Sequence, residues 1–291
     1  MTPLHGFGSA SAPFGDATQE WFASSFEAPT AAQLGAWEAI ASGGHALVIA
    51  PTGSGKTLAA FLSALDRLTT APRPAEAAER CRVIYVSPLK ALAVDIERNL
   101  RAPLAGIRHA AHRIGTTTTD ISIAMRTGDT PADERRAFAK HSADILITTP
   151  ESLYLLLTSQ AREVLGHVDT VILDEVHAIA GTKRGAHLAL TLERLDARLA
   201  KPVQRIGLSA TVRPVEEVAT FLAGGRPVTI VQPPANKTID VGIVVPVEDM
   251  TEPSTDTSSI WPAVDERIAD LIGSHRSTIV FTNARRLAER L

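Results

Sequence analysis

The chain has 291 residues, 45% of them apolar, with 29 Lys and Arg against 32 Asp and Glu for a formal net charge of −3. That length fits one to two domains, and the near-neutral balance excludes a global basic field, so any nucleic-acid site would have to be a local cleft. The single cysteine, Cys81, excludes an internal disulfide framework and a cysteine-based zinc site.

The N-terminal MTPLHGFGSASAPFGD has no basic segment followed by an apolar one, so it does not read as a secretory signal. Apolar runs such as HALVIA and TVILD are too short to span a bilayer. The expectation is a soluble cytoplasmic protein with no membrane partner. In chain order, short apolar runs predict strands at 45–50, 82–87, 121–126, 144–149, 170–174, 203–209 and 228–231. Cys81 opens the second run, CRVIYVSP, and reads as a buried structural residue. Helical patterns follow most strands: KTLAAFLSALDRL, LKALAVDIERNL, ESLYLLLTS and HLALTLERLDARL. In the last, Leu188, Leu192, Leu195 and Leu199 share one face, as core positions do. TTTTD at 116–120 reads as a loop leading into a strand.

Strands alternating with helices predict an α/β fold, a doubly wound parallel sheet covered on both faces. The expected layout is an N-terminal segment at 1–31, this domain at 32–232, and a linker with a first strand at 233–260. A further strand and helix pair would begin a second domain at 261–291. Within the linker, QPPANKTID reads as a connector and EDMTEPSTDTSS as polar and mobile. WPAVDERIADLIGSH then predicts a helix, STIVFTN a strand and ARRLAERL a helix.

APTGSGKT at 50–57 is a phosphate cradle. Its glycines let successive backbone N–H groups face an anion, and the following helix adds its positive N-terminus. Thr52, Gly53, Ser54 and Gly55 would line the cradle, Lys56 would reach the β- and γ-phosphates, and the Thr57 hydroxyl could ligate Mg²⁺. The alternative is a glycine-rich turn with an exposed lysine. Ala50 stands where the general pattern has its first glycine.

VILDEVH places Asp174 and Glu175 at the exit of an apolar strand, the sheet edge where ligands bind. Asp174 could hold Mg²⁺ opposite Thr57, and Glu175 could polarise an attacking water. A solvated strand end is the alternative for such a pair. His177, two residues after Glu175, is placed to sense the γ-phosphate region and to hydrogen-bond to Ser209, Ala210 and Thr211 at the end of the next strand.

With these residues in hand the chain resembles superfamily 2 helicases, and closely the N-terminal part of the Lhr (large helicase-related) family of bacterial DNA/RNA helicases. The resemblance runs from about Trp21 to the last residue, and FEAPTAAQ, APTGSGKT, SPLKALAVDIERNL, RTGDT, TTPESL, DEVH, GTKRGAH, LSAT and STIVFTNARRLAERL follow in the family's order. It implies two RecA-like domains with ATP and Mg²⁺ between them and a nucleic-acid strand across their tops. It further implies 3′→5′ translocation on single-stranded DNA, with unwinding of DNA or RNA–DNA duplexes, in DNA repair.

By the same resemblance Gln33 would read the adenine edge, with a capping polar residue as its alternative. Lys56, Asp174, Glu175 and His177 would be catalytic, and Ser209, Ala210 and Thr211 would couple hydrolysis to strand movement. Lys90, Thr148, Pro150 and Glu151 fall in segments that line the nucleic-acid path in similar helicases, and Arg126, Thr127, Gly128 and Arg184 join them as candidates. A solvated charge is the alternative for Lys90, and NARRLAER could be a nucleic-acid contact or an exposed helix face. The family pattern continues past Leu291, so the expectation is a truncated second RecA-like domain and a chain that binds nucleotide weakly and unwinds nothing alone. The competing classes are a nucleic-acid-binding module without ATPase activity and a P-loop ATPase of another class.

Overall fold

The computed structural model describes residues 13–234, 240–247 and 260–290. The chain divides into two units, Met1–Ala235 and Asn236–Leu291. The first opens with helices α1 (Asp16–Ser25) and α2 (Ala31–Ala41), followed by strand β1 (His45–Ile49) and α3 (Lys56–Thr70). Then come β2 (Val83–Val86), α4 (Lys90–Arg113), β3 (Ile123–Arg126), α5 (Ala132–Lys140), β4 (Ile145–Thr148) and α6 (Pro150–Leu157). The unit closes with β5 (Thr170–Leu173), α7 (Lys183–Asp196), β6 (Gln204–Ser209), α8 (Val215–Ala223) and β7 (Val228–Val231). All seven predicted strands form, in the order β3-β4-β2-β5-β6-β1-β7, and every pairing is parallel.

Why the strands are apolar without interruption follows from the packing. On β1, Ala46 and Val48 face one core while Leu47 and Ile49 face the other, and on β2 Tyr85 and Ile84 divide the same way. A parallel sheet has both faces covered, so each alternation finds apolar company. Helices α1 to α4 fill the first core with Phe22, Trp37, Phe61 and Ile107, and α6 to α8 fill the second with Leu153, Leu192 and Leu222. Leu188, Leu192 and Leu195 are fully buried, and Leu199 packs at the margin, as their spacing required. Cys81 is also buried, which pushes its thiol up to about 12 and leaves it inert.

The N-terminal boundary differs from the expected one at residue 32. Phe14, Trp21 and Phe22 belong to the first core, and Phe22 sits edge-on to Trp37 at 5.4 Å. Residues 13–31 are therefore built into the domain. No helix among the described residues is long and apolar enough to cross a membrane.

The second unit contains α9 (Trp261–Ser274) and α10 (Arg285–Ala288), neither of which has a buried residue. Arg290 lies over the Trp261 ring at 4.4 Å. The strand predicted from STIVFTN does not form, and 240–247 forms no first strand either. A strand needs a neighbour's backbone groups, and among the described residues this unit supplies none, so Ile279 and Phe281 remain exposed. The connector residues 235–239 and the whole of EDMTEPSTDTSS lie outside the described residues.

Candidate nucleotide and nucleic-acid site

Because every strand is parallel, all the C-terminal strand ends share one edge of the sheet, the edge at which α/β proteins bind ligands. The strand order divides that edge in two. Adjacent strands β5, β6 and β1 lead into Asp174–His177, Ser209–Thr211 and the cradle. Adjacent strands β3, β4 and β2 lead into Thr127–Thr130, Thr149–Glu151 and Ser87–Lys90. The candidate residues thus sort into two neighbouring groups without further assumption.

In the cradle, Gly53 and Gly55 adopt φ of 79° and 78°, a left-handed conformation that costs glycine nothing and side-chain residues about 1 kcal/mol or more. The turn delivers the chain into α3 at Lys56, so the unpaired N–H groups of the first helical turn face the loop. Ser54 Oγ is buried with no hydrogen-bond partner. Lys56 Nζ donates to the Ala50 carbonyl at 2.5 Å. Burial pulls the Lys56 pKa down, and the fields of Glu175 and Asp174 oppose the fall. The lysine therefore feels both carboxylates.

Asp174 is buried at the end of β5. Its Oδ1 accepts the backbone N–H of Glu175 at 2.9 Å, and its Oδ2 accepts the hydroxyl of Tyr85. Glu175 has φ of 46°, a rare conformation for a residue with a side chain. That turn separates the two carboxylates, sending Glu175 Oε2 to 3.3 Å from His177 Nδ1. The same Nδ1 accepts the backbone N–H of Ala210 at 3.2 Å. The bond from the DEVH segment to the SAT segment that the sequence anticipated is present.

Gln33 heads α2 in a reciprocal capping box: Thr30 Oγ1 accepts the Gln33 N–H at 3.2 Å, and Gln33 Oε1 accepts the Thr30 N–H at 2.9 Å. Thr30 Oγ1 also donates to the Ser54 carbonyl at 2.9 Å, tying this cap to the cradle. A Cβ on Gly55 would stand 2.6 Å from Gln33 Nε2, so the amide packs directly on the glycine turn. Beside it, Trp21, Phe26, Thr57 and Phe61 help line a cavity of 530 Å³. A larger cleft of 750 Å³ lies at the strand starts, near Thr170 and Gln204, and contains no motif residue.

On the other half of the edge, Lys90 heads α4 and pairs with Asp129 at 2.6 Å, both side chains being exposed. Arg184 forks onto both carboxylate oxygens of Glu151 and donates to the Pro88 carbonyl at 2.7 Å. The Arg184 hydrogen bond holds the Glu151 carboxyl below its usual range. This brace depends on Gly185, where a Cβ would stand 2.0 Å from the Ile179 carbonyl oxygen. Thr148 is buried and donates its hydroxyl to the Arg126 carbonyl at 2.7 Å, Pro150 is buried at the start of α6, and Thr127 is buried. All three pack into the loops at this edge. Arg126 has a buried Nη1 with no partner, and burial together with Arg135 lowers its pKa. Arg135 in turn braces the carbonyls of Gly128 and Thr130.

Sequence reasoning missed Tyr85, Thr30, Asp129 and Arg135. Thr30 could have been found from its spacing to Gln33, the capping-box signature. Tyr85 could not, because an uninterrupted apolar strand gives no sign that one hydroxyl faces a carboxylate.

The residues present fit Mg²⁺. Thr57 and Asp174 offer hard oxygen donors, and Ser54 leaves an unpartnered hydroxyl in the cradle. Among the described residues no three or more His, Cys, Asp or Glu converge as a metal cage. One carboxylate and one hydroxyl with phosphate and water completing the shell is how Mg²⁺ is ordinarily held.

The DEAD/DEAH box helicase family model matches residues 30–218. An Lhr helicase of Mycolicibacterium smegmatis is 62% identical over 96% of this chain, and the Lhr helicase/uracil glycosylase of Escherichia coli is 54% identical over 96%. The chain spans only 18% and 19% of those two proteins. A solved structure of Mycobacterium smegmatis helicase Lhr, bound to single-stranded DNA and AMP-PNP, superposes with a TM-score of 0.82 at 61% identity. The match covers 95% of this chain and 35% of that one.

Proposed function

The chain belongs to the DEAD/DEAH box helicases, on their Lhr branch, and from that premise we propose that it is the ATP-binding and nucleic-acid-gripping part of an ATP-dependent helicase. The observation that carries this reading is the strand order, which sets the cradle after β1 and the Asp174–Glu175 pair after β5 on one sheet edge, joined through β6, with the Lys90 loop after β2 beside them. The first unit would be the first RecA-like domain, and Asn236–Leu291 would lead into the second.

Gly53 to Thr57 would wrap the phosphates with backbone N–H groups. Lys56 would leave the Ala50 carbonyl for a phosphate oxygen, a stronger acceptor for an ammonium than a neutral carbonyl. Thr57 and Asp174 would hold Mg²⁺, which neutralises charge on the β- and γ-phosphates. Glu175, turned away from Asp174, would accept a proton from the attacking water. Gln33 keeps its Nε2 donors and one Oε1 lone pair for the adenine edge. His177, bonded to Ala210, would pass a change at the phosphates to the loop after β6.

Lys90 and Arg126 would take backbone phosphates of a single strand, and Arg184 with Glu151 would keep the loops under it in register. Translocation 3′→5′, unwinding of DNA or RNA–DNA duplexes, a DNA-repair role and a cytoplasmic setting are proposed on the resemblance of the motifs to the family alone. ATP hydrolysis measured with and without single-stranded DNA and RNA, with Lys56→Ala as the blank, tests the reading. Hydrolysis above the blank that rises with a strand supports it. Failure of the unmodified chain to bind nucleotide or strand would remove it.

A further inference from the structure

Asp174 is the carboxylate on which the proposed metal site depends, and among the described residues two donors reach it. One is the backbone N–H of its own neighbour Glu175. The other comes from a different strand: Tyr85, fully buried on β2, donates its hydroxyl to Asp174 Oδ2. The Tyr85 ring is itself fixed, stacked on Phe61 of α3 with centroids 5.1 Å apart and planes at 29°. Tyr85 therefore touches the helix that starts at the cradle and the carboxylate opposite it. Two residues on, just past the end of β2, lies Ser87, and Lys90 opens the next helix.

We infer that Tyr85 is a positioning residue: its hydroxyl aims the Asp174 carboxylate at the metal, and it ties that carboxylate to the strand that ends in the Lys90 loop. The inference rests on the nucleotide-site reading above. A carboxylate with one donor on each oxygen keeps one lone pair per oxygen free and loses its freedom to rotate. A partner of this kind outside the direct ligands typically changes metal affinity about 10–100-fold when removed. The alternative, a tyrosine kept only for its ring, predicts that phenylalanine serves as well.

The test is Tyr85→Phe in the 291-residue chain, which keeps the ring stack and deletes the O–H. A fluorescent ATP analogue is titrated in EDTA and in graded Mg²⁺, with Mn²⁺ binding followed by paramagnetic resonance. The expected result is unchanged affinity in EDTA and a Mg²⁺ and Mn²⁺ requirement raised about 10-fold. In an Asp174→Ala background the same change should do nothing further. Equal metal dependence in the two proteins would overturn the inference while leaving the nucleotide site intact. Equal loss in EDTA and in Mg²⁺ would also overturn it, since that marks damage to packing alone. No nucleotide binding by the unmodified chain would overturn the proposed function, and the inference with it.

Discussion

The backbone N–H of Ala210 donates to Nδ1 of His177 across 3.2 Å, so a single hydrogen bond joins the loop after β5 to the loop after β6. Glu175 Oε2 lies 3.3 Å from the same nitrogen. A movement of Glu175 would therefore alter the environment of the nitrogen that holds Ala210. His177→Ala should leave nucleotide affinity within about twofold and reduce strand stimulation of hydrolysis by about 5–150-fold, the usual span of a coupling energy. Parallel binding and hydrolysis titrations check this, and equal loss in both would contradict a coupling role.

Lys90 and Asp129 form an exposed pair, worth at most about 1 kcal/mol to stability. Their importance would lie in competition, because a phosphate must displace Asp129 to reach Lys90. Lys90→Ala should lower the slope of log affinity against log salt by about 0.7 for a single strand. Asp129→Asn should instead raise low-salt affinity a few-fold, within the same 1 kcal/mol limit. Fluorescence anisotropy over a salt series separates the two.

Arg205 contrasts with these surface charges. Its side chain is 1% exposed and pairs with Glu193 at 2.9 Å and Asp196 at 2.5 Å. Removing Asp196 leaves the buried guanidinium with Glu193 and the Leu222 carbonyl but deprives it, the Val203 N–H and Arg226 of a shared acceptor, so Asp196→Ala should cost about 1–3 kcal/mol in urea unfolding. Arg67→Ala, which breaks a half-exposed pair with Asp169, should cost under about 1 kcal/mol.

Acid should weaken the fold in two steps. Burial, then Arg226 and Arg205, hold His45 below its ordinary pKa, and its Nδ1 accepts the Arg205 N–H at 3.0 Å. A depressed histidine contributes stability that is complete above about pH 6.5 and is lost as pH falls through the folded value. Asp196 is also depressed; burial alone would raise it, but the Val203 N–H, Arg226 and Arg205 outweigh that. Its share is present above about pH 3.9 and disappears below. His45→Gln should flatten the stability profile just below pH 6.5 and leave the more acidic limb unchanged.

Much of the first unit was legible because its strands are short apolar runs and its helices carry periodic leucines. HALVI and TVIL could only be buried strands once the helical stretches between them were recognised. Gly53 and Gly55 announced their turn, and the strand exit at Asp174 announced the edge. What escaped was contact between distant elements: Tyr85 with Asp174, Lys90 with Asp129, Arg184 with Glu151. Each joins residues from separate strand ends, and only the strand order brings them together. At Thr148 and Pro150 the motifs marked the segments, and the burial of both residues was not legible from them. STIVFTN misled because an apolar strand pattern cannot pair without a neighbour.

The account stands on the claim that the cradle and the acidic pair form one Mg-nucleotide site that a nucleic-acid strand can sense. The most direct test is the affinity of a fluorescent ATP analogue with Mg²⁺, measured with and without a saturating single strand, for the unmodified chain and Lys56→Ala. The account predicts binding by the unmodified chain, tightened by the strand, and a loss of about tenfold or more on removing a charge-assisted contact worth about 1.5–3 kcal/mol. Equal affinity in the two proteins, or binding indifferent to the strand, would contradict it.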